Sequence, residues 1–331
     1  MQVLGVCGGN GVILHALKNH LIANVEPRAI FKTPDDVQWK LNFGSIPYIK
    51  NLSDRRLVGL SVDVIIGAPD CGHSSILSYS RSKKFGDAKA NPSLNLYIES
   101  LKLFQPNIFI MENLPALLEQ IPIEEWRKDF PNYTVFFIIG PVSKFGNSQV
   151  NRVRLLLIGI KNPKQHLKSK FLKFPKEPYL HTTGELLQGL GEEDPSLCHV
   201  REDINSIITI YAGRKMQLSE IQNKWRLEFK NDKRWRVYDK KFTTAPGVYK
   251  NLPNDYPATA RKMNRQFNSA GLMMSPRELA RIQGVPDSFK LWYDKTRHQF
   301  CINKARATVT KCPSYQIGTW LKRRLTNIFE I

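Results

Sequence analysis

Acidic residues are scarce in this chain: 29 Asp and Glu stand against 49 Lys and Arg, a net charge of +20 over 331 residues. That excess argues against an ordinary metabolic enzyme and favours a polyanionic partner, nucleic acid first. Long apolar runs are lacking as well. None approaches the roughly 20 residues of a spanning helix, and the basic residues are spread along the chain instead of gathered on one amphipathic segment. The expectation is a soluble protein with no membrane partner. Cysteine is sparse and unpaired in pattern: Cys7, Cys71, Cys198, Cys301 and Cys312 are odd in number and form no Cys-x-x-Cys. This excludes a zinc ribbon and a disulfide framework and fits a reducing cytoplasm. No cationic leader precedes an apolar stretch; Met1-Gln2-Val3-Leu4-Gly5-Val6 reads as a strand and not as a signal peptide.

What the chain does contain is alternation. Val3–Cys7, Ala29–Phe31, Val62–Ile66, Asn107–Met111, Thr134–Ile139 and Leu155–Ile160 read as strands, with Val12–Ile22 and Ser93–Phe104 helical between them. Such a pattern predicts an α/β fold with a mostly parallel sheet covered by helices. From Lys161 the texture changes. Lys164, Lys168, Lys170, Lys173 and Lys176 crowd one stretch, and Lys224-Trp225-Arg226 and Lys233-Arg234-Trp235-Arg236 interleave tryptophan with positive charge, as a surface that meets phosphates and bases would. The length allows one large lobe and a smaller one. Near the end, Ser275-Pro276 begins a helical pattern that runs to Gly284, and a last helix spans about Tyr315 to Leu325.

Two strand ends carry the chemistry. The run Val62–Ile66 breaks into Gly67-Ala68-Pro69-Asp70-Cys71-Gly72, and Ile108–Met111 breaks into Glu112-Asn113-Leu114-Pro115. The carboxyl ends of neighbouring parallel strands open on one crevice, so a thiol and a carboxyl group would face the same substrate. Between the first strand and first helix, Gly5-Val6-Cys7-Gly8-Gly9-Asn10-Gly11 would let a cofactor approach the backbone. Glu26 stands where an acidic residue commonly holds ribose hydroxyls.

The order of these blocks resembles the DNA cytosine-5 methyltransferase family. It comprises the glycine-rich turn, Pro-x-Cys after one strand, Glu-Asn-Leu after another, Arg152-Val153-Arg154 leading into a strand, and Arg277–Asp287 reading Arg-Glu-Leu-Ala-Arg-Ile-Gln-Gly-Val-Pro-Asp. The resemblance covers about 1–160 and 275–325. It implies a Rossmann-like methyltransferase sheet in residues 1–165, a smaller target-recognition domain in 166–300, and a C-terminal return to the catalytic domain in 301–331, beside the first strand. It also implies that Cys71 adds to carbon 6 of a flipped-out cytosine as a thiolate, favoured by a partly exposed site among positive groups. Glu112 would hold or protonate ring nitrogen 3, Asn113 would help place the loop, and Arg154 with Arg152 would steady the base and a phosphate. Cys7, Gly8, Asn10, Gly11, Glu26, Asn51 and Pro69 would line the site for S-adenosyl-L-methionine. Arg81, Lys83 and Lys84 would belong to the segment that closes over the base. The implied partner is double-stranded DNA, bound by a monomer.

The sequence also departs from the family. Pro69-Asp70-Cys71-Gly72 stands for Pro-Pro-Cys-Gln, which places an acid beside the thiol. Gln149 lies one residue further from the paired arginines than the family pattern has it, and Asn51 stands where an aspartate is usual. In the last block Lys311 replaces Gly-Asn, near where a sulfonium would sit. Two positive charges about 4 Å apart repel by about 4 kcal/mol at an effective dielectric of about 20. Either the ammonium points to solvent or phosphate, or the donor is carboxy-S-adenosyl-L-methionine, whose carboxylate would pair with Lys311 and yield 5-carboxymethylcytosine. Two other readings stay open: a catalytically silent DNA-binding relative, and an enzyme acting on RNA, against which the absent Cys-Phe-Thr signature counts.

Overall fold

A computed structural model of the chain describes residues 1–27, 34–71, 87–161, 171, 180–190, 248–250, 257, 265–267, 276–291, 309–310 and 312–329. The chain forms two compact units. One comprises Met1–Asn147, Asn151–Pro178 and Cys312–Ile331; the other comprises Ser148–Val150 and Tyr179–Lys311.

The first unit is built on a seven-stranded sheet. Its strands are β1 (Val3–Val6), β2 (Leu21–Val25), β3 (Tyr48–Ile49), β4 (Val64–Gly67), β5 (Ile108–Asn113), β6 (Tyr133–Pro141) and β7 (Val153–Lys161), in the spatial order β3-β2-β1-β4-β5-β7-β6. The first five are parallel, and β7 runs antiparallel to both β5 and β6. This is the α/β, mostly parallel sheet that the alternation predicts. Strands β1, β4 and β5 are buried along their whole length, as continuous apolar runs require when both faces of a sheet are covered. At the edge, β6 alternates buried with exposed residues and ends on Pro141, a position where a missing N–H costs nothing.

Helix α1 (Val12–His15) follows β1, α2 (Pro34–Phe43) precedes β3, α3 (Pro92–Phe104) leads to β5, and α4 (Leu117–Gln120) and α5 (Ile123–Asp129) lead to β6. Asn91 caps α3 by accepting from Ser93 N at 3.0 Å, and Pro92 supplies the preset φ of a first helical residue. The helix expected over Val12–Ile22 is shorter than its periodicity suggests. After a single 3₁₀ turn at Lys18–His20, Leu21–Val25 becomes β2, because Val25, Ala23 and Leu21 gain both a ladder against β1 and burial. The strand expected at Ala29–Phe31 lies outside the described residues. So do the lysine-rich stretch around Lys164–Lys176 (Phe171 excepted), the Trp225 and Trp235 clusters, and the segment with Arg81, Lys83 and Lys84.

In the second unit, β8 (Val248–Lys250) pairs with β9 (Arg265–Phe267). Helix α6 (Thr183–Leu187) begins with a capping box between Thr182 and Glu185. Helix α7 (Pro276–Ile282) belongs to the Arg-Glu-Leu-Ala-Arg block, whose arginines hold their own neighbourhood. Arg281 pairs with Asp287 at 2.5 Å and donates to the carbonyls of Leu186 and Gln188, while Arg277 donates to Phe289 O at 2.9 Å. Gln149 is fully buried here, donating to Gln283 Oε1 at 2.6 Å.

Helix α8 (Tyr315–Phe329) returns the chain to the first unit and packs on α1. The approach is a backbone contact: a Cβ on Gly318 would overlap the Ile13 carbonyl oxygen. Among the described residues no helix is long and apolar enough to cross a membrane. Gly318→Ala should therefore destabilise the protein by about 1–3 kcal/mol, since overpacking outweighs the better helix propensity of alanine. Urea unfolding of the two proteins measures this.

Candidate active site

Strand order reverses between β1 and β4, because β2 lies to one side of β1 and β5 lies beyond β4 on the other. That switch point is where an open parallel sheet leaves a crevice at its carboxyl edge. The turn after β1, Glu26 after β2, Asn51 beyond β3, the Pro69-Asp70-Cys71 segment after β4 and Glu112-Asn113 at the end of β5 all lie on this edge. Arg152 and Arg154 join them because β7 is antiparallel, so its start, not its end, lies beside the end of β5; Asn113 pairs with Leu155 and Glu112 with Leu156.

The segment carrying Cys71 is held by two asparagines from different elements. Asn113 donates from Nδ2 to Pro69 O at 3.2 Å, and Asn91 donates from Nδ2 to Asp70 O at 2.6 Å. Both asparagines are buried, and Asn113 also accepts from Leu114 N at 2.8 Å. Cys71 itself is partly buried and a free thiol.

Glu112 is buried, and its Oε1 lies 2.9 Å from Arg154 Nε. Burial pushes the Glu112 carboxyl above its ordinary value, against the opposing pull of Arg154 and Arg152. Burial also raises the Cys71 thiol, followed by the Glu112 carboxylate; Arg154 opposes the rise and Asp70 adds to it. The thiolate expected from neighbouring positive groups is thus disfavoured in the resting site, because desolvation and two carboxylates outweigh one guanidinium. Arg152 is turned into the fold. It is 2% exposed, donates to Cys312 O at 2.8 Å, and is drawn down to about 9 by burial and by Arg154, which leaves it charged at neutral pH. Arg154 remains partly exposed beside Glu112.

On the other side of the crevice, Gly8 N donates to Asn24 Oδ1 at 3.2 Å and Gly9 N donates to Glu26 Oε2 at 3.0 Å. Gly9 has φ 55 and open space where a Cβ would stand. Gly11, at φ 84, lies against the stacked rings of Trp39 and Phe43, where any side chain would collide. Asn10 is buried and donates to Gln38 Oε1 at 3.3 Å. Cys7 presents only backbone to this turn, because its thiol donates to Ser93 O at 3.3 Å in the core. Asn51 is exposed and accepts from Ser53 Oγ at 2.8 Å. Lys311 and Gly72 lie outside the described residues.

Three residues of this edge escape the sequence motifs. Asn24 is a single polar residue in the apolar run Leu21–Val25, fully buried to hold the glycine turn. Tyr48 donates to Gly9 O at 3.3 Å. Asn91 carries a readable signal, an asparagine just before a helix-opening proline, although its reach to Asp70 does not follow from that signal.

Comparison with known proteins bears on this arrangement. A family model for C-5 cytosine-specific DNA methylase matches residues 28–307. The chain belongs to that family. Among solved structures, an E. coli prophage protein assigned as a DNA modification methyltransferase superposes with a TM-score of 0.66 at 17% identity, covering 100% of both chains. The S. pombe Dnmt2 methyltransferase gives 0.62 at 14% identity, again over 100% of both, and the Entamoeba histolytica methyltransferase EhMeth gives 0.61 at 11%, over 99% of this chain and 98% of that one. At these identities the structural likeness concerns the fold. No curated protein matches. As a cytosine-5 methyltransferase family member, the chain uses a donor of the S-adenosylmethionine type.

The raised Glu112 carboxyl has a consequence for this methylase that needs no substrate to measure. Between the ordinary value of 4.5 and the raised one, the folded protein holds a proton that the unfolded chain has released, so stability falls as pH rises through that window and stays lower above it. Glu112→Gln is free of that penalty. Its urea midpoint should exceed the wild type's at neutral pH, and the gap should close below pH 4.5; an unchanged gap at all pH values would show that burial does not control this group.

Proposed function

We propose that this family member modifies carbon 5 of a cytosine flipped out of double-stranded DNA, with Cys71 as nucleophile and Glu112 as proton donor to ring nitrogen 3. The observation that carries the reading is the shared edge: a partly buried thiol on the segment after β4, electrostatically coupled to a buried carboxyl at the end of β5 and to Arg154. A net charge of +20 supports a phosphate-bearing partner whose binding weakens with salt.

Neither ring atom can be reached inside a duplex, so the base must leave the stack at a cost of a few kcal/mol, recovered in the pocket. Burial suits Glu112 to its task. A carboxyl held above its ordinary value takes up a proton more readily than a free one, and giving that proton to nitrogen 3 draws electrons from the ring as sulfur bonds to carbon 6. Cys71 must first pass its own proton to solvent, and the positive charge of Arg154, which favours thiolate, assists this step. Carbon 5 then carries the electron pair that accepts the transferred carbon. Loss of the carbon 5 proton to a base expels sulfur 71, restores the 5,6 double bond and releases the enzyme. Arg154 orients Glu112, Asn113 holds Pro69, and Arg152 fixes the segment before α8 instead of meeting a phosphate.

The residues of the glycine turn suit S-adenosyl-L-methionine. Gly9 leaves open the space where a side chain would stand, and Glu26 reaches the same turn with a carboxylate suited to ribose hydroxyls; Gly8, Asn10 and Gly11 shape the turn, with Pro69 and Asn51 on the same sheet edge. When bound, that sulfonium supplies an electrophilic methyl group. Lys311 favours a second reading for the donor, carboxy-S-adenosyl-L-methionine, because an ammonium near a sulfonium is offset by a donor carboxylate. In the domain plan we propose, 1–165 and 301–331 carry this chemistry, and 166–300 reads the target as a monomer on DNA in the cytoplasm.

DNA containing 5-fluorocytosine, offered together with S-adenosyl-L-methionine, should trap the enzyme covalently, because carbon 5 then has no proton to lose, with the adduct on the peptide bearing Cys71. Cys71→Ser should form none, and Glu112→Gln should trap it about 10²- to 10⁴-fold more slowly. No adduct on any DNA would favour the silent relative, and an adduct on matched RNA alone would favour the RNA reading. Offering the two donors separately and weighing the product base tests Lys311: a methyl-only product that survives Lys311→Ala would overturn the carboxymethyl reading.

A further inference from the structure

We infer that Asn91 is a positioning residue for Cys71, fixing the peptide plane between Asp70 and Cys71 from the N-cap of α3. The inference rests on the nucleophile assignment above. Asn91 lies 20 residues after Cys71 and outside every motif that the sequence offers. Its side chain is buried and makes two bonds of different kinds. The amide oxygen accepts from Ser93 N at 3.0 Å, an ordinary helix cap, and the amide nitrogen donates to Asp70 O at 2.6 Å.

The second bond is the informative one. The Asp70 carbonyl and the Cys71 N–H belong to one rigid amide, so holding the oxygen orients the N–H. The preceding amide is held in the same way, through Pro69 O by Asn113 Nδ2 at 3.2 Å. Two consecutive peptide planes before the sulfur are therefore fixed from two separate elements, the start of α3 and the end of β5. A rotation of the chain ahead of Cys71 would have to break both bonds. The Cys71 N–H also favours the thiolate, though it is the smallest of the influences on this sulfur. Against it stand Glu112 on β5 and Asp70 on the same segment; with it stands Arg154 on β7, and Arg152 on the approach to β7 also faces the sulfur. In a site where burial already opposes ionisation, a correctly aimed N–H matters more than it would in water.

Substitution can separate the cap from the clamp. Asn91→Ser and Asn91→Asp both retain a good N-cap acceptor, so helix α3 stays capped and both variants stay folded, with the thermal midpoint lowered only by the lost bond to the Asp70 carbonyl. Neither can donate to Asp70 O as the amide does, and only the aspartate adds charge. Both variants should trap 5-fluorocytosine DNA about 10- to 100-fold more slowly, with DNA affinity unchanged. The pH profile of iodoacetamide alkylation at Cys71, followed by peptide mass, should move to higher pH in Asn91→Ser, a shift that a lost helix cap alone would not produce. Wild-type trapping rate and alkylation profile retained in both variants would overturn the role of Asn91. Absence of an adduct in the wild type itself would instead overturn the nucleophile assignment.

Discussion

The ion pair between Arg154 and Glu112 exists because one strand runs the wrong way. In an all-parallel sheet the residues opening β7 would sit at the far edge from the end of β5. Reversal places them side by side, and a carboxyl that is almost wholly buried meets a guanidinium at 2.9 Å. Removing a carboxylate from water is costly, and a single partner repays the cost only in part. The remainder shows as a carboxyl that resists ionisation. A group under that strain is unfavourable for stability and useful for moving protons, which is the usual trade at an active site.

The same economy governs the thiol. Among the described residues the balance around Cys71 opposes ionisation at rest: it is partly buried and faces two acidic side chains, with Arg154 as the counterweight. Protonation of Glu112 would remove the larger of the two acidic influences. Proton placement on the carboxyl and ionisation of the sulfur are thus linked, and neither group's titration can be understood alone. Asp70, in the place where the family usually has proline, adds a smaller push of its own against the thiolate.

Much of the plan was legible in the sequence, for reasons that differ from element to element. Strands β4 and β5 declare themselves by unbroken apolar runs ending in Pro-x-Cys and Glu-Asn, and the edge on which these residues gather follows from parallel topology. Leu21–Val25 was misleading. Val12–Ile22 carries apolar residues at helical spacing, and only pairing with β1 turns its end into strand. Burial was the harder quantity. The paired arginines look alike in sequence, yet one reaches Cys312 O inside the fold and the other stays at the crevice, a distinction made by the returning segment before α8, which offers its carbonyl to Arg152. Hydrogen bonds that span the chain, such as Asn91 to Asp70, leave no local pattern at all.

Gly318 has a consequence for how this protein comes to be folded. Its backbone rests on the carbonyl of Ile13, so an early helix finds its seat on a residue roughly 300 positions downstream, and contacts of such separation form slowly. Closing so long a loop adds little to the equilibrium cost, since that cost grows only with the logarithm of length. The penalty is therefore one of time: until α8 docks, α1 and the turn ahead of it lack the backbone seat that Gly318 supplies.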